Sequence, residues 1–254
     1  MREDEPPSPG PPMPCARNSP KWYIVTMQSV LITGANRGLG LCLVQQFADQ
    51  GWQVFAGERS PSASPGVALP QVQWVGLDVQ DMGSIVRAAE SVAERSSGLD
   101  VLINNAAVNP RPDYDAPLGE LDFTAMQLAY DVNALGPLRV VQAFLPLLEH
   151  GQRKLIVNVS SEAGSLRHSW RDRSYGYCMS KAALNMQSTI LDRALKGRGF
   201  QVLALHPGWM RTDMGGPNAH LDPAESARGM YDVVQTANAS TPRFLQQDGK
   251  EFPW

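Results

Sequence analysis

A strand-like apolar run, Val30–Thr33, leads without a break into Gly34-Ala35-Asn36-Arg37-Gly38-Leu39-Gly40, and then into a segment with apolar residues at Leu39, Leu43 and Phe47. The i, i+4, i+8 spacing predicts an amphipathic helix, and Gly51 is placed to stop it. Strand, glycine-rich turn and helix together constrain the fold more than any other feature of the chain. The glycines permit a tight turn, close approach of the backbone to a pyrophosphate, and close packing of helix on strand. The helix N-terminus meanwhile offers unpaired N–H groups to an anion. Three glycines alone would mark only a turn; the strand before and the helix after favour dinucleotide binding. No Lys-Ser/Thr pair follows the glycines, which excludes a P-loop.

The same alternation continues down the chain. Strand-like runs fall at Val30–Thr33, Gln53–Gly57, Val72–Leu77, Val101–Ile103, Leu155–Val159 and Val202–Leu205, with helical patterns between them. A last run, Phe244–Gln247, precedes an Asp248-Gly249 turn. Parallel strands need crossover connections, so the pattern predicts an α/β fold: a doubly wound, Rossmann-type parallel sheet flanked by helices, in a single domain. Residues 1–26 stand apart, with seven prolines in the first twenty positions and no apolar periodicity. They read as a disordered tail ahead of a domain spanning 27–254.

Composition narrows the function classes. With 22 Lys+Arg against 25 Asp+Glu the net charge is −3, so no overall positive field gathers nucleic acid. No apolar stretch approaches the ~18 residues of a membrane span. Three cysteines, Cys15, Cys42 and Cys178, lack CxxC spacing, and the four histidines lack an HxxxH pattern, so no metal site is assigned and a reducing, cytoplasmic setting fits best.

The glycine spacing, Thr33-Gly34 followed by Gly38 and Gly40, resembles the TGxxxGxG of the short-chain dehydrogenase/reductase family. Further matches fall in the family's order over about residues 28–254: Asp78-Val79, Asn104-Asn105-Ala106-Ala107, Asn133 in Asp131-Val132-Asn133-Ala134, Ser161 in Val159-Ser160-Ser161, Tyr177 and Lys181 as a YxxxK pair, and Pro207-Gly208 with Thr212. Ala107 stands where the family's NNAG motif ends in glycine. The short C-terminal region ending Phe252-Pro253-Trp254 is most similar to the sniffer and C-factor branch of small carbonyl reductases.

The resemblance implies reversible reduction of a carbonyl to an alcohol with a nicotinamide cofactor, on Asn133, Ser161, Tyr177 and Lys181. It implies a cofactor site of Gly34, Asn36, Arg37, Gly38, Leu39, Gly40, Glu58, Arg59, Asp78, Val79, Asn105, Ala106, Tyr177, Lys181, Pro207, Gly208 and Thr212. Asp78 would bond the adenine and Thr212 the nicotinamide carboxamide. A homo-oligomer built on the helix of the YxxxK pair is a further implication.

The chemistry has a physical basis. Residues four apart share a helix face, so the Lys181 ammonium can sit beside the Tyr177 hydroxyl and favour its phenolate. Tyr175 has only Met179 four residues on. Tyr177 would exchange a proton with the substrate oxygen, Ser161 would stabilise the charge developing there, and Asn133 would connect Lys181 to solvent through water. A nucleotide-sensing binding or signalling protein is the competing reading, but it has no need of all four residues. Cofactor choice rests on two opposed signals. Glu58, at the end of the second strand, favours NAD(H) through the ribose 2′-OH, while Arg37 and Arg59 favour NADP(H) through its phosphate. NADP(H) is the expected preference, on the argument that Glu58 can turn to solvent or pair with an arginine whereas both arginines would lack an anion without the phosphate. Leu166–Arg173, with three arginines, His168 and Trp170, reads as a solvated loop in preference to a binding surface for an acidic or aromatic substrate, Trp209 and Met210 as either a nicotinamide cover or packing, and Cys178 as inert packing.

Overall fold

The computed structural model describes residues 27–60, 69–110 and 118–254. The reading of residues 1–26 as a disordered tail lies outside the described residues. Seven strands, β1 (Ser29–Thr33), β2 (Gln53–Glu58), β3 (Val72–Gly76), β4 (Val101–Asn104), β5 (Leu155–Val159), β6 (Gln201–His206) and β7 (Phe244–Gln246), form one sheet in the order 3-2-1-4-5-6-7. Every pairing is parallel. The described residues also form six α-helices: α1 (Gly38–Asp49), α2 (Met82–Ala93), α3 (Phe123–Tyr130), α4 (Gly136–His150), α5 (Tyr175–Leu195) and α6 (Pro223–Thr236). This is the doubly wound, Rossmann-type single domain that the alternation predicts.

Strand residues segregate by parity into two cores. Val30, Ile32, Val54, Ala56, Val101, Ile103, Leu155, Val157, Leu203 and Leu205 face a layer built with α1 and α6. Leu31, Phe55, Leu102, Ile156 and Val202 face the other, where Ile85, Val140, Phe144 and Leu148 pack from α2 and α4. Because both faces are covered, the strands read as unbroken apolar runs rather than alternating ones. The helix predicted from Leu39, Leu43 and Phe47 is α1, and Gly51 ends it in the left-handed region, φ 78°. The Asp248-Gly249 turn folds the C-terminus back, so that Glu251 bridges Leu245 antiparallel.

The chain order reverses between β1, which neighbours β2, and β4, which carries the sheet the other way. In open α/β sheets, ligands bind beyond the strand C-termini at this switch point. The family-matched motifs at Thr33–Gly40, Asn104–Ala107, Ser160–Ser161 and Pro207–Thr212 all follow the C-terminal ends of strands and are thereby gathered along one edge.

Candidate active site

The glycine turn is locked by hydrogen bonds to the segment after β4. Thr33 Oγ1 accepts from the Asn105 and Ala106 N–H groups, each at 3.0 Å, and Asn105 Nδ2 donates to the carbonyls of Thr33 and Gly34 at 2.9 and 3.0 Å. A Cβ on Gly34, at φ 64°, would lie 2.8 Å from Ala106 Cα, and one on Gly40 would collide with the Gly34 carbonyl oxygen. Helices α2, α3 and α6 open on aspartates, Asp81, Asp122 and Asp222, that accept from first-turn N–H groups. Helix α1 opens on Arg37, whose side chain caps nothing. Its first-turn N–H groups carry no side-chain cap, and an anionic pyrophosphate would satisfy them. Thr212 stands across the same opening, its methyl 3.5 Å from where a Gly38 Cβ would be. The residues present fit a nicotinamide dinucleotide.

At the adenosine end the structure changes the reading of Glu58. Its side chain is 2% exposed at the end of β2, so it does not turn to solvent, whereas Arg59 beside it is exposed. Nor is Arg37 without an anion, since its Nη1 lies 2.6 Å from Asp213 Oδ2 across the crevice mouth. Asp78 is half-buried and accepts from the Gln80 N–H, and Val79 is buried against Gly136 at the start of α4.

The reacting end is assembled from β5, α5 and a π-helical segment, Asp131–Leu135, that joins α3 to α4. Ser161 leaves β5 in extended conformation and caps a single 3-10 turn, Glu162–Gly164, accepting from the Ala163 N–H at 3.2 Å. Gly164 lies so close to the Lys181 backbone that a Cβ would meet it at 2.7 Å. This contact places the serine's turn directly on the helix of the YxxxK pair. Ser160 and Asn185 tie it down, the hydroxyl donating to Asn185 Oδ1 at 2.5 Å while Asn185 Nδ2 donates to the Gly164 carbonyl.

Tyr177 and Lys181 are one turn apart on α5, with the ammonium 5.8 Å from the tyrosine ring centroid. Lys181 is 2% exposed and donates to the Val159 carbonyl at 2.8 Å. Burial lowers its pKa to about 7. Asn133 is fully buried in the π segment, a type of helix irregularity often found at functional sites. Its amide is engaged with the Val108 backbone and with Ser180 Oγ, all at 2.8–2.9 Å. The side chain thus ties the loop after β4 to α5 and does not itself reach Lys181.

Glu162 and His206, which the sequence did not single out for the site, join Arg171 of the 166–173 loop next to Ser161. The Ser161 hydroxyl is 2.5 Å from Glu162 Oε2, Arg171 pairs with Glu162 Oε1, and the Glu162 N–H donates to His206 Nδ1 at 3.3 Å. Arg171 leaves the otherwise exposed 166–173 loop to make this pair. Burial raises the Glu162 carboxyl pKa, but hydrogen bonds from Ser161 and Arg171, with the charge of Arg171, outweigh it and hold the carboxyl below the usual range. Phe252 from the C-terminal segment lies between His168, which it meets edge-on, and His206. Trp209 remains half-exposed, its Nε1 donating to the Gly215 carbonyl, while Met210 packs on the α1/α6 core.

The family model described as short chain dehydrogenase matches residues 28–221, and the chain belongs to that family. It is a short-chain dehydrogenase/reductase, an oxidoreductase. C-signal of Myxococcus xanthus is 43% identical over 157 residues, covering 61% of this chain and 93% of that protein. Carbonyl reductase Sniffer of D. melanogaster superposes with a TM-score of 0.85 at 27% identity, over 90% of this chain and all of that one. The NADPH-bound carbonyl reductase from chicken fatty liver superposes at 0.80 with 35% identity, over 91% and 100%.

Proposed function

We propose that the protein interconverts a carbonyl and an alcohol, prefers NADP(H), and uses Tyr177 as general acid and base. The observation that carries this reading is the buried Lys181. Burying an amine is costly, and here the burial places it under Tyr177 and against the strand that delivers Ser161. A protein that only senses a nucleotide gains nothing from that arrangement. In reduction, Tyr177 gives its hydroxyl proton to the substrate oxygen and Ser161 bonds the same oxygen; in oxidation Tyr177 takes the proton back. The nicotinamide, when bound, supplies or accepts the hydride. Gly34, Asn36, Gly38, Leu39 and Gly40 would hold the pyrophosphate of the dinucleotide, and Arg37 with Arg59 the 2′-phosphate of its adenosine ribose. Asp78 and Val79 would meet the adenine, Asn105 and Ala106 the middle of the crevice, and Pro207, Gly208 and Thr212 the nicotinamide. Tyr177→Phe keeps the ring and removes the proton, so kcat is expected to fall by about 10²–10⁴-fold with cofactor affinity retained. Undiminished turnover in that variant would overturn the mechanism.

The preference for NADP(H) rests on Arg37 and Arg59. The Arg37–Asp213 pair is exposed on both sides, 67% and 80%, and such pairs contribute roughly 0–1 kcal/mol. A dianionic phosphate therefore displaces Asp213 at little cost. The solved relative from chicken fatty liver is described as NADPH-bound. Arg37→Ala and Arg59→Ala are each expected to weaken NADPH at least tenfold more than NADH in fluorescence titration at fixed salt. Tighter binding of NADH by the unaltered protein would instead make the buried Glu58 the discriminating group. Cytoplasmic residence belongs to the same reading, since the three cysteines are odd in number and lack CxxC spacing. So does the division into a 27–254 catalytic domain and a 1–26 extension. No helix among the described residues is long and apolar enough to cross a membrane.

A further inference from the structure

We propose that Glu162 makes this site selective for substrates with a hydrogen-bond donor on the carbon next to the reacting carbonyl, that is, α-hydroxyketones and α-hydroxyaldehydes, and vicinal diols in the oxidative direction. The inference rests on the oxidoreductase reading above and adds the substrate class to it.

The argument begins with proton counting. Ser161 has one hydroxyl proton, and its Oγ lies 2.5 Å from Glu162 Oε2. An ionised carboxylate only accepts, so the serine donates to it, and the distance is that of a charge-assisted O–H···O⁻ bond. Arg171 occupies the other carboxylate oxygen and keeps the group ionised. His206 does not supply Oε2 with a proton through Nδ1, because that nitrogen accepts from the Glu162 N–H at 3.3 Å and stands 3.7 Å from Oε2. The proton that stabilises the reacting oxygen is therefore already committed to Glu162.

A substrate carbonyl must take that proton away, which leaves a largely buried carboxylate oxygen without its donor. Leaving such an oxygen unmet is strongly unfavourable. A hydroxyl on the adjacent carbon restores the missing bond. The two oxygens of a hydroxycarbonyl sit about one hydrogen-bond length apart, as do Ser161 Oγ and Glu162 Oε2, so the four atoms close a ring: carbonyl oxygen to Ser161, substrate hydroxyl to Glu162. A plain ketone cannot close this ring. A 2-oxo acid brings a like charge to Glu162, and Arg171, the nearest cation to it, is already paired.

The test compares isosteric substrates with NADPH: 2-hydroxyacetophenone against propiophenone, and hydroxyacetone against butanone. In the unaltered protein kcat/KM is expected to favour the hydroxylated member of each pair by tenfold or more. Replacing the ion pair by apolar groups in Glu162→Leu/Arg171→Leu should bring the ratio to within about threefold of unity. Glu162→Gln, which keeps shape and removes charge, should give an intermediate ratio and covers the case in which the double variant fails to fold. A global loss of structure would lower both rates and leave their ratio intact. Equal kcat/KM in the unaltered protein, or a preference that survives in every folded variant, would overturn the inference. If all four ketones are inert and 1-phenylethane-1,2-diol is not oxidised, the proposed carbonyl–alcohol interconversion at this site fails, and the substrate class with it.

Discussion

Lys181 illustrates how a single residue can set activity against stability. Its pKa is lowered by burial to about 7, against about 10.4 in an unfolded chain. Below pH 7 both states hold the proton, and folding bears the full desolvation penalty. Between pH 7 and about 10.4 the unfolded chain binds the proton and the folded one does not, so this residue's contribution to stability rises with pH. Lys181→Met should therefore be inactive yet more stable than the unaltered apoprotein near neutral pH, with Tm higher by several degrees, at about 2–4 °C per kcal/mol. The gain should shrink toward pH 10 in a calorimetric series. A Tm lowered at every pH would show that the bond to the Val159 carbonyl outweighs the burial of charge.

The elements show what a sequence discloses and where its signal stops. The strand runs and α1 were legible because each repeats its period over several residues and ends on a recognisable stop such as Gly51. The π segment at Asn133 and the 3-10 turn at Glu162–Gly164 were not, since elements of 5 and 3 residues contain too little period to read. Glu162 was overlooked for a related reason. Its partners are its neighbour Ser161, Arg171 in a loop, and His206 on β6, and only the fold brings these together. Arg37 and Glu58 were placed correctly along their elements, but Asp213 and the burial of Glu58 belong to tertiary packing. The glycine turn, by contrast, supports a sharp prediction at this scale. Gly40→Ala drives a methyl into the Gly34 carbonyl and against Asn105 Nδ2. Backbone has to shift, so stability should drop by about 1–3 kcal/mol and cofactor affinity by more than tenfold, measured by denaturant titration and fluorescence. A fully stable variant with unaltered affinity would mean that α1 can slide without disturbing the turn.

Across the whole molecule, an apolar stripe remains on the outside of the helix that carries Tyr177 and Lys181. Met179, Met186 and Ile190 lie on one face of α5 and are exposed by 60%, 62% and 58%. Three large apolar side chains in a row along one helix face favour association. A homo-oligomer through α5 is the expected state, and Met186→Glu/Ile190→Glu should reduce the sedimenting mass to that of one chain. An unaltered monomer in the same experiment would leave the stripe as ordinary surface. The stitching of Thr33 and Gly34 to Asn105 and Ala106 has another consequence. It fixes the gap between β1 and β4, so the dinucleotide enters a slot of preset width instead of one that hinges around it. Release of spent cofactor is then expected to depend on the mouth of the slot, where Arg37 meets Asp213, and not on the sheet beneath it.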